Sequence, residues 1–300
     1  MNAAQQTPNR ATLIGAVAIL LWSTLAIFTT MTEGIPPFQL LALTFLVAFC
    51  ISTLILLIRG EKIIRRGKLH LVVWIVSVGG LFGYHFFYFV ALRNAPAVEA
   101  NLINYLWPLL IVVFSSLLPG ERLRWFHTAG ALLGLSGAFL LVALKGNISF
   151  QSESIGGYLA AVACAVIWAT YSVLNRRFEH IPTASVSGFC GMTALLAFLC
   201  HLVMESWVTP NLAQLFYIIL MGLGPLGLAF FVWDYGTKHG DLRLIGVLSY
   251  STPLLSTLLL ILFGKAEASL LVLISCTLII GGALLASKDK LKRAGERATE

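Results

Sequence analysis

The sequence predicts an all-α polytopic membrane protein, with ten transmembrane helices arranged as two inverted five-helix repeats and with the N-terminus and C-terminus both cytoplasmic. Three observations carry this. First, 58% of the 300 residues are hydrophobic and 11% charged, with mean hydropathy +0.89, whereas a soluble domain carries about 25% charged residues. Second, the apolar stretches come in lengths of about 20 residues, enough for a helix to cross a hydrocarbon core roughly 30 Å thick. Third, landmark residues recur at a fixed offset in the two halves. A soluble α-protein of this size would need a wettable surface that the composition does not supply.

In chain order the expected spans are 11–32, 36–58, 70–92, 97–118, 124–144, 155–175, 183–204, 211–234, 242–263 and 267–287. The first apolar run is longer than the core of a secretion signal and ends without a small-x-small cleavage site, so it reads as a retained span. Connections are short, so neighbouring spans run mostly antiparallel. They leave no room for a soluble domain.

Basic residues give the orientation. With residues 1–10 inside, the inner segments hold Arg10, Arg59, Lys62, Arg65, Arg66, Lys68, Arg122, Arg124, Arg176, Arg177, Lys238, Arg243, Lys288, Lys290, Lys292, Arg293 and Arg297, which is 17 of the 20 Lys and Arg residues. Only Arg93, Lys145 and Lys265 fall outside. The net charge of +7 is therefore spread over many loops, which excludes a nucleic-acid patch. The basic tail 288–300 reads as a solvated cytoplasmic end near anionic lipid.

The repeat is visible in the letters. NYLWPLL at 104–110 has a partner, SYSTPLL, at 249–255, so that Tyr105 and Pro108 match Tyr250 and Pro253 at an offset of 145. At offsets of 145 or 146, Trp22 matches Trp168, Ile35-Pro36 matches Ile181-Pro182, Glu121 matches Glu267 and Gly137 matches Gly282. A duplicated unit of five spans, here 11–144 and 155–287, must cross the membrane in opposite senses. Such inverted repeats belong mainly to transporters, with the solute site at the repeat interface near the midplane.

Polar groups are costly in lipid, so intramembrane polar residues should face the interior. Asn101, Asn104, Tyr105 and Pro108 share one helix face at i, i+3, i+4, i+7. Trp168, Tyr171, Ser172 and Asn175 form a second such stripe. Tyr84, His85 and Tyr88 mark the third span, Trp22 the first and Trp107 the fourth. These residues, with Tyr250, are the expected lining of a central cavity. The alternatives are specific: interfacial anchoring, which suits Trp74, Trp125 and Trp207 near span ends; interhelical hydrogen bonding for Asn101 and Asn104; and proton carriage rather than a polar wall for His85. Tyr105 and Trp107 stand about 200° apart on an ideal helix, so both reach one cavity only across a kink or a second wall. Pro108 and Pro253 each remove a helix hydrogen bond. GGLFG at 79–83 and GLGPLG at 222–227 add glycines. Gly80, Gly83, Pro108, Gly224, Pro225 and Pro253 are candidate hinges, the alternative being close packing.

Several chemistries lack their residues. There is no GxxxxGK[ST] phosphate loop and no HExxH metal motif. The five cysteines form no CxxC and read as buried packing residues. Glu99, Glu205 and Asp234 lie towards span ends, so no deep acid is available for ion coupling. The expectation is a non-enzymatic, facilitative carrier of a neutral or zwitterionic solute with no cofactor or metal. The competing expectation is a proton-coupled exporter of drugs or amphipathic metabolites, with His85 or Glu99 carrying the proton. An intramembrane enzyme or a receptor would need a catalytic constellation or a signalling domain, and neither is found.

Taken together, the Trp in the first span of each half, the paired N/S-Y-x-x-P-L-L elements and the Glu after spans four and nine resemble the EamA type of the drug/metabolite transporter superfamily. The resemblance covers nearly the whole chain. It implies an exporter of amino acids, aromatic ones included, in a bacterial inner membrane, with a basket of ten helices, a central cavity and alternating access. The expected partners are the amino-acid solute and the bilayer; the spread of basic residues speaks against nucleic acid, and no obligate protein partner is evident. It carries over most firmly onto Trp22, Tyr105, Trp107 and Pro108. Ser251 and Thr252 depart from the first half's Leu106 and Trp107, which makes the expected cavity asymmetric.

Overall fold

A computed structural model describes residues 3–60, 69–120, 123–143, 148–262, 264, 267 and 269–288. Glu121, Lys62, Arg65, Arg66, Lys68, Arg122, Lys145, Lys265 and tail residues 289–300 lie outside the described residues. Among the described residues every regular element is helical. Nine helices among these residues are long and apolar enough to cross a bilayer: Asn9–Met31, Pro37–Ile58, Leu71–Asn94, Ala97–Leu117, Trp125–Ala143, Ser152–Phe178, Thr183–Met204, Leu212–His239 and Leu242–Leu262. A tenth, Leu270–Ala286, is apolar but 17 residues long. They are numbered spans 1 to 10 below, and each overlaps its expected run.

Packing pairs the spans in a regular way. Span 1 lies against span 8 and span 3 against span 6; span 2 pairs with span 7 and span 5 with span 10. Small residues set the closest approaches. A Cβ added at Gly130 would stand 2.5 Å from the Gly282 carbonyl oxygen, and one at Gly15 would stand 2.9 Å from the Gly236 Cα. Without Cβ atoms at these points, backbones meet and dispersion contacts hold helices that lipid gives no hydrophobic reason to associate.

Five spans are irregular. Span 3 contains a π-helical turn over Gly79–Gly83 and span 8 another over Gly224–Leu228. Their first residues are 145 apart, the offset of the sequence repeat. A π turn widens the ladder by one residue and loosens its carbonyls. Span 4 is interrupted between Ala97–Asn104 and Trp107–Phe114. Span 9 is interrupted between Leu242–Leu248 and Ser251–Leu262. Each interruption lies just upstream of a proline, because Pro108 and Pro253 cannot donate to the carbonyl four residues back. Span 1 also breaks, at Thr24, between Ala3–Ser23 and Leu25–Met31; Trp168 in the matching span lies within an unbroken helix, Ile155–Asn175.

Two expectations about single residues need correcting. The cysteines are free, but they are not all buried. Cys164 and Cys190 are buried, whereas Cys50 is exposed, because it stands on the side of span 2 turned away from the bundle. Trp125 and Trp207 are exposed near span ends, as anchors would be. Trp74 instead packs edge-on against Phe189, with ring centroids 5.1 Å apart.

Candidate functional site: an aromatic layer between two polar ends

Four tryptophans from four spans meet in the middle of the molecule. Trp22 of span 1 lies 5.0 Å from Trp233 of span 8, 5.6 Å from Trp168 of span 6 and 6.4 Å from Trp107 of span 4. The circuit is complete, since Trp107–Trp168, Trp107–Trp233 and Trp168–Trp233 are 6.4, 5.9 and 5.8 Å. Edge-on and tilted geometries dominate, as ring quadrupoles favour. Trp107, Trp168 and Trp233 are buried, while Trp22 keeps partial exposure.

Irregular backbone and the indole N–H groups position this tetrad. Trp22 Nε1 donates to the Pro225 carbonyl at 3.1 Å, inside the π turn of span 8. Trp233 Nε1 donates to Ser172 Oγ at 3.1 Å. Trp107 opens the helical segment that follows the break in span 4. That break decides between two neighbours: Trp107 turns into the tetrad, whereas Tyr105 is half-buried and makes no ring contact with it among the described residues.

Span 3 adds a polar aromatic wall. Tyr84 packs 5.3 Å from Trp168 and stacks parallel to Tyr88 at 6.1 Å. Tyr88 Oη donates to Asn101 Oδ1 at 2.9 Å, and Asn104 Nδ2 donates to Tyr84 Oη at 3.1 Å. His85 sits against Phe45 at 5.6 Å and Phe230 at 6.2 Å, with its Nδ1 on the Leu81 carbonyl at 2.7 Å. No carboxylate or ammonium group is hydrogen-bonded or ion-paired to the His85 ring among the described residues. Tyr84, His85 and Tyr88 contact protein on several sides and are half-buried.

Tyr171 sits next to this layer, 5.2 Å from Trp168, with its ring over Gly80. A side chain at Gly80 would overlap that ring, so this glycine is required by packing whatever its part in bending. Gly83 and Gly224 have more room, and Pro225, Pro108 and Pro253 are buried at the irregular turns. Tyr250 does not join the layer. It is fully buried in a second cluster with Val112, Ala131 and Leu254, and its ring lies on Gly134, where a Cβ would stand 2.5 Å from Tyr250 Cδ2. Sequence equivalence with Tyr105 does not carry over into position.

Sequence reasoning missed Phe230 and Trp233. Phe230 lies 6.1 Å from Trp22 and stacks on Phe45 at 5.3 Å. Both residues read as ordinary apolar positions of span 8. The signal that reaches them is the repeat offset, because they stand 145 residues after His85 and Tyr88.

The layer lies between two polar ends. Just past Trp233, Asp234 and Lys238 form a buried pair with Nζ 2.8 Å from Oδ1. The Asp234 carboxylate also accepts from Thr183 Oγ1 at 2.6 Å and Asn175 Nδ2 at 3.1 Å. Lys238 Nζ reaches the Ile181 carbonyl at 3.0 Å, and Arg176 bonds the Lys238 and Gly240 carbonyls at 2.7 and 2.8 Å. These contacts tie spans 6, 7 and 8 together. At the opposite end of span 7, Glu205 accepts from the Phe38 and Gln39 amides at 3.0 and 3.1 Å, capping span 2, and from Arg93 at 3.2 Å. A carboxylate on a helix N-terminus is favoured both by the exposed N–H groups and by the helix dipole.

Comparison with known proteins places these features. The model of the EamA-like transporter family matches twice, over residues 9–143 and 155–288. The aromatic amino acid exporter YddG of Ancylobacter novellus is 52% identical over 282 residues, covering 93% of this chain and 97% of that protein. The proteins of the same name from Salmonella typhimurium and Escherichia coli are 29% and 28% identical, each match covering 93% of this chain. A solved crystal structure with 52% sequence identity superposes with a TM-score of 0.89, covering 93% of this chain and 99% of its own. This chain is an integral membrane protein and belongs to the EamA-like transporter family.

Proposed function

We propose that the protein exports amino acids, aromatic and other neutral ones, from the cytoplasm by alternating access through the aromatic layer. The observation that carries this reading is the 52% identity, over almost the full length of both chains, to a protein named an aromatic amino acid exporter. The site chemistry agrees with it. Tryptophan and tyrosine rings offer stacking faces, and Tyr84, His85 and Tyr88 offer hydrogen bonds to the polar ends of a zwitterion. Trp22, Tyr84, His85, Tyr88, Trp107 and Trp168, joined now by Phe230 and Trp233, are the proposed lining. Tyr105, Asn101 and Tyr171 stand behind it.

The same reading sets the two matched segments as inverted five-helix repeats, with both chain ends in the cytoplasm of a bacterium and the spans in its inner membrane. The excess of Lys and Arg on one side supports that orientation. Rocking of one repeat against the other would flex the chain at the paired π turns around Gly80, Gly83, Gly224 and Pro225 and at the breaks beside Pro108 and Pro253. Opening one end while the other stays latched gives alternate access to a fixed site. The carboxylates of Asp234 and Glu205 are already engaged with cations. Their engagement supports a facilitative carrier driven by the solute's own gradient, while Glu99, buried with Oε1 on the Ser149 amide at 2.6 Å and Oε2 without a partner, is the carboxylate that the proton-coupled alternative would use.

The test is direct. Liposomes holding purified protein and loaded with labelled phenylalanine, tryptophan, threonine or methionine should release the label faster than empty liposomes, without an imposed pH gradient. Release only when a proton gradient is imposed would replace the facilitative mechanism by a coupled one. No release of any amino acid would end the substrate assignment.

A further inference from the structure

Asn101 and Asn104 are one helical turn apart on span 4, and sequence alone treats them alike. Their hydrogen bonds differ. Asn101 is satisfied at both ends of its amide: Oδ1 accepts from Tyr88 Oη at 2.9 Å, and Nδ2 donates to the Ala97 carbonyl at 2.6 Å. Asn104 is satisfied at one end only. Its Nδ2 donates to Tyr84 Oη at 3.1 Å, while its Oδ1 is buried with no hydrogen-bond partner. The residue is 5% exposed. An unpaired buried polar atom loses its hydrogen bonds to water and gains none in return, so in a folded protein it calls for a reason.

Its surroundings favour a cation. Asn104 is the last residue of the segment Ala97–Asn104, where a helix presents its carbonyl ends and the negative end of its dipole. Four residues on stands Pro108, which has no N–H to give the Asn104 main-chain carbonyl. Side-chain and main-chain acceptors thus belong to one residue at one helix end. Its hydrogen-bond partner Tyr84 packs 5.3 Å from Trp168 of the tetrad. The equivalent residue in the second half, Ser249, is already satisfied, its Oγ donating to the Ile245 carbonyl at 2.8 Å. At this matched position, therefore, the first half keeps a vacant acceptor and the second does not.

We propose that Asn104 is the residue that recognises ammonium in the transport site, its Oδ1 accepting a hydrogen bond from the α-ammonium of an amino-acid solute that parts Tyr84 from the tryptophan tetrad. This rests on the amino-acid reading above and adds to it the polarity of the site: ammonium towards span 4, ring towards the tryptophans. Because Nδ2 holds the tyrosine, Tyr84 Oη keeps its own proton free to donate to the solute carboxylate.

The experiment is ligand titration of purified protein, read by tryptophan fluorescence, with phenylalanine, phenylalaninamide and 3-phenylpropionate. The wild type is expected to bind phenylalanine and phenylalaninamide about tenfold to a hundredfold more tightly than 3-phenylpropionate, which lacks the ammonium. In Asn104→Leu that preference should vanish. Asn104→Asp keeps the shape and adds charge, so it should widen the preference for phenylalaninamide over 3-phenylpropionate, and it serves if the leucine variant does not fold. Equal wild-type affinity for phenylalanine and 3-phenylpropionate, or an unchanged preference in either folded variant, overturns the proposal. A wild type that shows the preference but releases no amino acid from liposomes leaves Asn104 in its role and removes the transport reading instead.

Discussion

Removing the ammonium of Lys238 should cost more stability than removing the whole ion pair. Lys238 and Asp234 are 2% and 1% exposed, and Lys238 bridges Asp234 to the Ile181 carbonyl on the chain entering span 7. Lys238→Met keeps the aliphatic stem but leaves a buried carboxylate with only neutral donors, Thr183 and Asn175. Breaking a buried pair in this way costs about 3–5 kcal/mol. At about 2 °C per kcal/mol for a chain of this size, the melting temperature should fall by roughly 6–10 °C. Adding Asp234→Asn removes the stranded charge and keeps an oxygen for Thr183, so the double variant should recover most of the loss. The assay is thermal melting of detergent-purified protein, read by intrinsic fluorescence. A single variant melting within about 2 °C of wild type, or a double variant melting below the single, would refute the reasoning.

Three further outcomes follow from the packing. Gly80→Ala drives a methyl into the Tyr171 ring, whereas Gly79→Ala meets nothing within 4 Å; overpacking of this kind costs about 1–3 kcal/mol, so only the first should lower the melting temperature. Trp22→Ala removes ring contacts to Trp107, Trp168 and Trp233, each such pair contributing about 0.5–1.5 kcal/mol; phenylalanine efflux from liposomes should drop by roughly tenfold or more, and an unchanged rate would take this residue out of the solute's path. Cys50 is exposed while Cys164 and Cys190 are buried, so brief N-ethylmaleimide treatment of folded protein in detergent should modify the first and spare the other two, as read by peptide mass spectrometry.

Much of the fold was legible because lipid imposes a simple length rule. Each apolar run of about 20 residues became a helix, and the offset of 145 that aligned the prolines also aligned two π turns. The site was legible where one residue type had one plausible use. Trp22 and Trp168, deep in matching spans, meet as expected. Phe230 and Trp233 escaped because an aromatic residue in an apolar run is as easily lipid-facing as core. Tyr250 was misplaced for a different reason. A repeat conserves the chain path but not the neighbours of each side chain. Tyr250 sinks onto Gly134, while the residue 145 positions after Gly134 is Ile279, too bulky to leave a matching slot for Tyr105.

The same breakdown of symmetry makes the two polar ends unequal. Arg93 and Lys238 stand 145 residues apart, and each reaches a carboxylate beside span 7. The Arg93 side chain is 43% exposed and its partner Glu205 3% exposed, so salt screens the cation's side of this pair. Lys238 is buried, and its end is reinforced by Asn175, Thr183 and Arg176. Separating the Lys238 end strands two buried charges, whereas separating the Arg93 end returns a half-exposed guanidinium to water and leaves the Glu205 carboxylate, 3% exposed, on His201 and the Phe38 and Gln39 amides. In a carrier that alternates between these ends the two half-cycles therefore meet different resistances. High salt should loosen the Arg93 end and leave the Lys238 end almost unaffected, because screening acts on exposed charges and scarcely on buried ones.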